Sequence, residues 1–402
     1  MLIVKKFGGT SVADKGKIMR AANRCAAEWQ KGNNVICVLS AMGAATDDLI
    51  ALAKDMNPEG SKREMDMLLS TGEQVSVSLM AMALQSLKIP AVSLNAFQVR
   101  MHGTSHYSDA RFKGIDTERI HMELENRKVV VVTGFQAINK RDDFVTLGRG
   151  GSDTTAVALA ASLKADKCEI YTDVDGIYTA DPRIVENARK LSEITYDEML
   201  ELATLGAKVL HNRSVEMAKK YGVELVVRSS MKTEEGTMVK EAARMENMII
   251  TGAAADKNTA RISVIGLQDR PGIAFKLFNL LSHKHINIDN ILQSVGRENT
   301  KDITFTLARD DLKEALKVLK EKRDSLTIQE ISHDDKMAKV SVVGAGMMSN
   351  PGIASKMFEA LSDVGINIDM ISTSEIRISV LVNEKDADRA LVAVHDAFLD
   401  RY

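Results

Sequence analysis

Two glycine-containing turns carry the charged and hydroxyl side chains best suited to phosphate chemistry. Lys6-Phe-Gly-Gly-Thr-Ser11 follows a short apolar run, and Thr146-Leu-Gly-Arg-Gly-Gly-Ser-Asp-Thr-Thr-Ala156 leads into an apolar stretch that ends at Leu163. Glycine lets a backbone approach a ligand closely, and amides at a helix N-terminus bind anions. A lysine beside such a turn can neutralise charge on a transferring phosphoryl group. The first turn therefore predicts a phosphate contact, and the second predicts a polar ligand site.

Each turn also has an ordinary structural interpretation. Ser152 or Asp153 could be the N-cap of a buried helix while Arg149 is solvated. Lys6 could be a surface lysine on a tight turn between a strand and a helix. The residues of the two turns leave both alternatives open.

Four further segments contain polar groups that could either bind a ligand or have only a structural role. Ser40–Thr46 is rich in small residues and hydroxyls. Glu73 is expected at a helix start, where either the helix dipole or a substrate ammonium group would account for a carboxylate. Thr172–Arg183 contains aspartates, a glycine and a tyrosine that could surround a nucleotide or form an ordered loop. Lys208 is either a phosphate contact or a solvated side chain.

The elements that must position these residues alternate along the first half of the chain. Strand patterns at Leu2–Lys6 and Asn34–Ser40 flank a helix pattern at Lys15–Gln30, and each strand ends in a turn. Val129–Thr133 is predicted to be a buried strand, and the apolar stretch that ends at Leu163 a central helix. Such alternation is typical of a mostly parallel sheet between helices, with ligands at the carboxyl ends of the strands.

The composition favours a small-molecule enzyme or sensor of two or three domains. The chain has 402 residues, 45% of them hydrophobic, and a formal net charge of -2, which gives no reason to expect nucleic acid or an anionic membrane as a partner. Three distant cysteines form neither a disulfide framework nor a zinc pattern, and the eight histidines lack metal-ligand spacing. No signal peptide and no bilayer-spanning stretch is expected, so the predicted location is cytoplasmic.

The second half of the chain contains an internal repeat of one sequence unit. Three segments of the first copy recur in the same order in the second: Ile262-Ser-Val-Ile-Gly266, Pro271-Gly-Ile-Ala274 and Ile286-Asn-Ile-Asp289 match Val340-Ser-Val-Val-Gly344, Pro351-Gly-Ile-Ala354 and Ile366-Asn-Ile-Asp369. The predicted organisation is a first domain at 1–230, a linker at 231–247 and a second region at 248–402, with repeats at about 260–332 and 338–402. The second copy lacks a last strand, so the strand at 248–254 is predicted to complete its sheet.

Taken together, the motifs resemble those of the aspartokinases over essentially the whole chain. The matching segments are Lys6–Val12, Ser40–Gly43, Gly72–Gln74, Gly148–Asp153 and Thr172–Arg183. The resemblance implies an α/β amino-acid-kinase fold, a mostly parallel sheet sandwiched by helices, followed by two α+β ferredoxin-like ACT domains. It also implies the reaction of ATP with L-aspartate, with Mg²⁺, to give 4-phospho-L-aspartate and ADP, the first step towards lysine, threonine and methionine.

The resemblance assigns roles residue by residue. Lys6 would stabilise the transferring phosphoryl group, Asp153 would organise Lys6, Arg149 would pair with an aspartate carboxylate, and Glu73 would bind the α-ammonium group. The remaining substrate pocket would be lined by Ser40, Thr46, Phe135 and Ser152. ATP would be bound by Gly8, Gly9, Thr172, Asp173, Tyr178, Arg183 and Lys208. No dedicated metal ligands are expected, because Mg²⁺ would be held by phosphates and water.

The paired ACT domains imply feedback inhibition by lysine, threonine or both, and a homo-oligomer. The effector would bind at Asp269, Gly272, Ala274 and Gln293 of one copy and at Asn367 and Ile368 of the other. Two other readings stay open. One is a related kinase acting on acetylglutamate, carbamate or a nucleoside monophosphate, although such relatives typically lack the ACT pair. The other is an amino-acid sensor that has lost the chemistry, against which the presence of Lys6 and Asp153 argues.

Overall fold

The computed structural model describes residues 1–206, 209–242, 249–295 and 300–399. Two compact units divide the chain, Met1–Tyr178 with Lys190–Glu246 and Thr179–Arg189 with Asn247–Tyr402. The first unit is a three-layered α/β structure, and the second contains the two repeats. The predicted fold class is confirmed.

The first unit is built around a mostly parallel sheet. Its strands are β1 Leu2–Phe7, β2 Asn34–Leu39, β3 Ala91–Leu94, β4 His102–Gly103, β5 Phe112–Gly114, β6 Val129–Thr133, β7 Gln136–Ile138, β8 Phe144–Thr146, β9 Lys167–Thr172, β10 Glu193–Thr195, β11 Leu225–Ser229 and β12 Thr237–Lys240. Its helices are α1 Lys15–Gln30, α2 Ala45–Met56, α3 Lys62–Ser86, α4 Glu118–Glu125, α5 Gly151–Ser162, α6 Tyr196–Thr204 and α7 Asn212–Tyr221. Among the described residues the main sheet has the order β10-β12-β11-β9-β1-β2-β6-β3, and a smaller one has the order β5-β4-β7-β8.

Burial on both faces explains why the central strands are rich in apolar residues. All five residues of β6 are buried, as are the last five of both β1 and β2. α5 lies against this sheet and is buried from Gly151 through Ala160. The central position predicted for this helix is confirmed, and its first turn is therefore held rigidly at the carboxyl edge of the sheet.

Two features of the first unit differ from expectation. The linker predicted at 231–247 includes β12, which pairs antiparallel with β11 and parallel with β10. Only Thr237 and Val239 of this strand are buried, so its apolar signal is weak. The expectation that no stretch could span a bilayer is wrong by length and composition for α3. However, half of its apolar window is buried inside the protein, and its buried face carries Asp66 and Glu73, so it serves as a core helix here.

A buried charge cluster stabilises the face of β1 opposite Lys6. Lys5 Nζ lies 2.5 Å from Glu169 Oε2, and both side chains are less than 5% exposed. Tyr171 donates a hydrogen bond to the same oxygen at 2.9 Å. Burial alone would raise the pKa of Glu169, but the charge and hydrogen bond of Lys5 lower that pKa to about 2. Since successive residues of a strand face opposite sides, this cluster fixes β1 without occupying the side that Lys6 uses.

Replacing Glu169 with glutamine is expected to lower the free energy of unfolding by about 3 kcal/mol at pH 7. A carboxyl whose pKa is lowered by folding stabilises the protein above its unfolded pKa and loses that effect as pH falls through the folded value. Urea titrations should therefore show the difference from wild type shrinking by more than half between pH 7 and about pH 3. Glu234→Gln, at an exposed pair with Lys190, is the matched control and should change little. A difference that stays constant with pH would contradict this account.

The second unit forms a single sheet from both repeats. Its strands are β13 Gly252–Gln268, β14 Ile288–Val295, β15 Thr300–Ala308, β16 Glu330–Val343, β17 Met370–Thr373 and β18 Arg377–Asn383, and its helices are α8 Ile273–Ser282, α9 Leu312–Glu321, α10 Arg323–Leu326, α11 Ile353–Asp363 and α12 Ala387–Leu399. The strand order in the described part is β14-β15-β13-β16-β18-β17. Separate apolar cores lie under the two repeats.

The two long strands are shared between the repeats. Residues 252–256 of β13 pair antiparallel with 339–343 of β16, next to β18 of the second repeat. Residues 261–265 of β13 pair with 330–334 of β16, next to β15 of the first repeat. The strand placed at 248–254 from the sequence is observed from Gly252, and Met248 lies outside the described residues. The second repeat thus receives residues 252–256 from outside its own continuous stretch, whereas the first repeat is completed by the start of β16 at its own C-terminal end.

A short segment between β9 and β10 belongs to the second unit. Thr179 accepts a hydrogen bond from Ala253 N at 2.7 Å, and its hydroxyl lies 2.9 Å from His395 Nε2. Asn187 donates to Asp396 at 3.0 Å. The domain boundary drawn at residue 230 did not include this excursion, because eleven residues within an α/β pattern carry no signal of where they pack.

Candidate active site

The loops that follow four strands meet at one edge of the main sheet. Gly8 N donates to Tyr171 O at 3.2 Å, which joins the loop after β1 to the end of β9. Ser40 N donates to Phe7 O at 3.2 Å, and Gly134 N donates to Leu39 O at 2.8 Å. These bonds link the loops after β1, β2 and β6 in sequence across the sheet. Residues that are far apart in the chain therefore converge where ligands of parallel sheets bind.

Lys6 and Asp153 form a shielded ion pair at this edge. Lys6 Nζ lies 2.6 Å from Asp153 Oδ1, and the two side chains are 11% and 12% exposed. Asp153 stands in the first turn of α5, where the helix dipole favours a negative charge. A lysine held in this way presents its ammonium group at a fixed place. It can stabilise negative charge that develops on a transferring group.

The N-cap predicted by the capped-helix interpretation is wrong, whereas Arg149 is exposed as that interpretation expects. The N-cap of α5 is Gly150, in the left-handed region at φ 69°, and no side chain caps the helix. Ser152 and Asp153 lie inside the first turn instead. Ser152 Oγ accepts a hydrogen bond from Ser40 Oγ at 2.9 Å. Ser152 and Asp153 are therefore directed to Ser40 after β2 and to Lys6 on β1, whereas Thr154 donates to Gly150 O of its own helix.

Glu73 lies in the middle of α3, so its predicted place at a helix start is wrong. The side chain is buried, and one oxygen accepts a hydrogen bond from Ala41 N at 3.1 Å. The other oxygen, Oε2, has no hydrogen-bond partner among the described residues. Burial raises the pKa of Glu73 to about 7. The helix dipole cannot account for a carboxylate at this position, and a cationic ligand group would satisfy both its free oxygen and its charge.

Gly72 makes the contact between Glu73 and the loop after β2 possible. A Cβ atom at residue 72 would lie 2.9 Å from Ala41 Cβ. Beside Glu73, Gln136 is fully buried and donates to Ser70 O at 3.0 Å. Its carbonyl oxygen has no partner in the part of the chain that the structure describes. Gln136 belongs to none of the sequence motifs, and its only signal in the sequence is its position directly after the loop that ends β6.

The Arg149 side chain is exposed and carries the available positive charge of its loop. No hydrogen bond or ion pair of this side chain occurs within the described ranges. Phe135, with a φ of 67°, accepts a hydrogen bond from Leu147 N at 2.7 Å and so packs beside the same loop. Thr46 is half-buried in the first turn of α2, and no described contact joins it to the other substrate candidates. The geometry thus joins Phe135 to the loop that carries Arg149 and shows no such link for Thr46 among the described residues.

The structure brings together only some of the residues proposed to bind the nucleotide. Gly8 adjoins the end of β9, where Thr172 Oγ1 donates to Asp173 at 3.0 Å, and Gly9 O accepts a hydrogen bond from Gly43 N of the loop after β2 at 3.0 Å. Tyr178 donates to Asp175 at 3.0 Å, and Lys232 lies 2.7 Å from the other oxygen of that carboxylate. Lys232 belongs to none of the sequence motifs described above.

Two nucleotide candidates lie outside the described part of the first unit. Arg183 belongs to the second unit, is 86% exposed at its side chain and pairs with Asp181 at 2.6 Å. Lys208 lies outside the described residues. The remaining nucleotide candidates therefore form the loops after β1 and β9.

The proposed effector residues occupy two different parts of the second unit. Asp269 lies 3.1 Å from Lys301 Nζ, and Gly272 is the N-cap of α8 with a φ of 86°. Ala274 follows in the first turn of α8, and Gln293 is exposed on β14. Asn367 and Ile368 precede β17. Because β14 and β17 are the opposite end strands of the sheet, one chain does not bring the two groups together.

Metal-binding chemistry is sparse in the described part of the chain. No group of three or more histidine, cysteine, aspartate or glutamate side chains there is arranged to hold a metal ion. His211 packs against Gly150, and burial lowers its pKa. A divalent cation would need ligands from the bound substrate or from water.

Comparison with known protein families matches every part of this architecture. Residues 1–229 match the amino acid kinase family, and residues 260–324 and 340–398 each match an ACT domain. The aspartokinase of Bacillus sp. strain MGA3 is 50% identical over 398 residues, which cover 99% of this chain and 97% of that protein.

Two solved structures of E. coli aspartokinase III are also similar to this chain. The R-state complex with aspartate and ADP has 26% sequence identity and a TM-score of 0.84, and the match covers 99% of each chain. The T-state complex with lysine and aspartate has 26% identity, the same coverage and a TM-score of 0.78.

Proposed function

The chain belongs to the aspartokinases of the amino acid kinase family, which are phosphotransferases, and we propose on that basis that it transfers the γ-phosphoryl group of ATP to the side-chain carboxylate of L-aspartate. The products are 4-phospho-L-aspartate and ADP. The observation that carries the proposal is the buried Glu73, whose free oxygen calls for a cation in a site that also contains the Lys6–Asp153 pair. An amino acid supplies that cation as its α-ammonium group.

The reaction needs positioning and charge stabilisation more than acid–base chemistry. The substrate carboxylate is already ionised at neutral pH, so it can attack the γ-phosphorus without a general base. The bond to the β–γ bridging oxygen breaks, and ADP leaves with the electron pair. Lys6 stabilises the charge on the transferring group, and Asp153 holds Lys6 in place. Arg149 binds the α-carboxylate of the substrate through its planar fork.

The remaining candidates line the two substrates. Ser40, Thr46, Phe135 and Ser152 surround the amino acid, while Gly8, Gly9, Thr172, Asp173 and Tyr178 surround ATP. Arg183 and Lys208 remain candidates for the nucleotide on the family motif alone. Mg²⁺ is proposed to enter with ATP and to be held by phosphate and water.

The second unit senses the end products of the pathway. Its two ACT domains are the proposed site for lysine, threonine or both, and the related E. coli enzyme was solved with lysine. Ile291 and Leu292 on β14 and Ile371 on β17 are about half exposed, which supports pairing of these end strands with a second copy. Binding of an effector between copies would then shift the population towards an inhibited state. The proposed role of the enzyme is the first step of lysine, threonine and methionine synthesis, and its proposed location is the cytoplasm.

A panel of phosphoryl acceptors tests the proposed reaction. ADP release by the purified full chain with Mg²⁺ and ATP should depend on L-aspartate, and lysine or threonine should reduce it. Glutamate, acetylglutamate, carbamate and a nucleoside monophosphate serve as the alternative acceptors. Turnover with one of these and not with aspartate would overturn the proposal, as would lysine or threonine binding by a folded protein that turns over no acceptor.

The ionisation of Glu73 should make aspartate binding pH-dependent. Only the ionised carboxylate can pair with the α-ammonium group, so binding improves as pH rises through the pKa of about 7. The KM for aspartate is expected to fall about tenfold from pH 6 to pH 8, while the KM for ATP changes little. Glu73→Gln should have a raised aspartate KM that no longer varies over this range. An unchanged pH dependence in Glu73→Gln would assign the effect to another group.

A further inference from the structure

The loop that carries Arg149 is short and flanked by residues with great backbone freedom. It joins β8 to α5, and Gly148 and Gly150 adopt φ values of 74° and 69° on either side of Arg149. Glycines lose more conformational entropy on ordering than other residues, so this loop does not hold a fixed shape by itself. The groups that fix Arg149 must therefore lie on neighbouring elements.

Asp66 fixes the loop where it leaves β8. This residue of α3 is fully buried and accepts hydrogen bonds from Thr146 N at 3.0 Å and from Thr146 Oγ1 at 2.9 Å. It also accepts from Ser108 N at 2.8 Å and from Ser108 Oγ at 3.4 Å. Burial raises the pKa of Asp66, and these four donors oppose that rise. One carboxylate thus holds together two segments that contact the Arg149 loop.

Arg213 fixes the next residue of the loop from the other side. Its guanidinium, on α7, donates to the carbonyl oxygen of Leu147 and lies 3.0 Å from Asp109 Oδ1. It also donates to Ala110 O at 2.8 Å, and Ala110 N donates to Thr146 O at 2.9 Å. The Arg213 side chain is 15% exposed. Two consecutive residues, Thr146 and Leu147, are therefore held by a buried anion and a largely buried cation.

We propose that Asp66 and Arg213 are positioning residues that set the place of the Arg149 guanidinium and thereby the selectivity for an acceptor with a free α-carboxylate. The proposal rests on the proposed function, because it needs Arg149 to bind that carboxylate. A buried charged group stabilises a protein little more than apolar packing at the same position would. A charged group that makes forked or multiple hydrogen bonds, however, fixes the positions of the segments it binds. Bidentate recognition is sensitive to displacements of the order of 1 Å, so loosening the loop lowers affinity for the carboxylate.

The test compares substitutions that keep or remove the hydrogen bonds. Asp66→Asn can keep all four, with its carbonyl oxygen towards the two backbone amides and its amide group towards the two hydroxyls. Asp66→Ala removes them, and Arg213→Lys cannot reach Leu147 O and Ala110 O with one ammonium group. The KM for aspartate is expected to rise at least tenfold in Asp66→Ala and Arg213→Lys and less than about threefold in Asp66→Asn. The KM for ATP should stay within about twofold in all three.

A double-mutant cycle separates positioning from general stability. If Asp66 acts through Arg149, adding Asp66→Ala to Arg149→Ala should not raise the aspartate KM further. Tyr196→Phe is the matched control, because it loses a buried hydrogen bond to Val223 O in the same unit, at 2.7 Å, away from the loop. It should lower the melting temperature without changing the aspartate KM. If Asp66→Ala does not fold, Thr146→Val and Arg213→Lys replace it, and their aspartate KM values are compared with and without Arg149→Ala.

The outcomes distinguish this inference from the proposed function. Additive effects in the cycle, or an unchanged aspartate KM in both Asp66→Ala and Arg213→Lys, would overturn the positioning role while wild-type aspartate turnover stands. Wild-type turnover that does not depend on aspartate would overturn the proposed function itself.

Discussion

Replacing Lys6 with methionine is expected to lower kcat by about a thousandfold, which corresponds to about 4 kcal/mol of lost transition-state stabilisation. The ammonium group lies in a shielded site, 2.6 Å from Asp153, where its charge acts on a transferring phosphoryl group with little screening by water. Methionine fills a similar volume without charge. Steady-state ADP release with both substrates saturating measures the effect directly.

Lys5→Met is the matched control, because Lys5 is the neighbouring buried lysine of the same strand. It leaves Glu169 without its closest cation, so it should destabilise the protein by about 3 kcal/mol and alter kcat far less. A Lys6→Met enzyme that keeps near-wild-type kcat would contradict the role of Lys6 as the phosphoryl-stabilising group.

Replacing Arg149 with alanine is expected to raise the KM for aspartate about a hundredfold and leave the KM for ATP nearly unchanged. The guanidinium is exposed and has no partner in the described ranges, so its removal costs no internal contact. Arg149→Lys keeps the charge but loses the planar fork, so an intermediate increase of about tenfold is expected. Initial rates against both substrates provide the comparison.

Arg141→Ala provides a control at another exposed arginine of the first unit, on the turn between β7 and β8. It should leave both KM values unchanged. An equal rise in the KM for aspartate in Arg141→Ala and Arg149→Ala would show a general effect of surface charge and not a specific carboxylate contact.

The sequence was most informative where a periodic pattern and a turn coincide. α1 begins and ends at Lys15 and Gln30 as predicted, because Asp14 caps a strongly amphipathic helix and Gly32 follows its end. The buried helix α5 and the convergence of the loops after β1 and β2 follow from parallel-sheet topology. Lys6 and Asp153 could be paired in advance only through the resemblance to a family, since nothing local relates residues so far apart.

The positions of Glu73 and Asp66 within the long apolar helix α3 could not be predicted from local sequence patterns. A helix start near Glu73 is predicted because the segment Ser70-Thr-Gly-Glu-Gln74 contains residues that favour one. The helix instead begins at Lys62. Tertiary packing overrides the weak helix propensity of Gly72 because Ala41 needs that close approach. Asp66 had no signal at all, because its four hydrogen-bond donors come from segments about 40 and 80 residues away.

Trapping the product with hydroxylamine tests the central claim most directly, since hydroxylamine converts an acyl phosphate to a stable hydroxamate. The account predicts that the purified full chain, with Mg²⁺, ATP and L-aspartate, forms aspartyl hydroxamate in step with ADP. It also predicts that lysine, threonine or both reduce that formation. ADP release without hydroxamate, or hydroxamate formation that does not require aspartate, would contradict the assignment of the aspartate side-chain carboxylate as the phosphoryl acceptor.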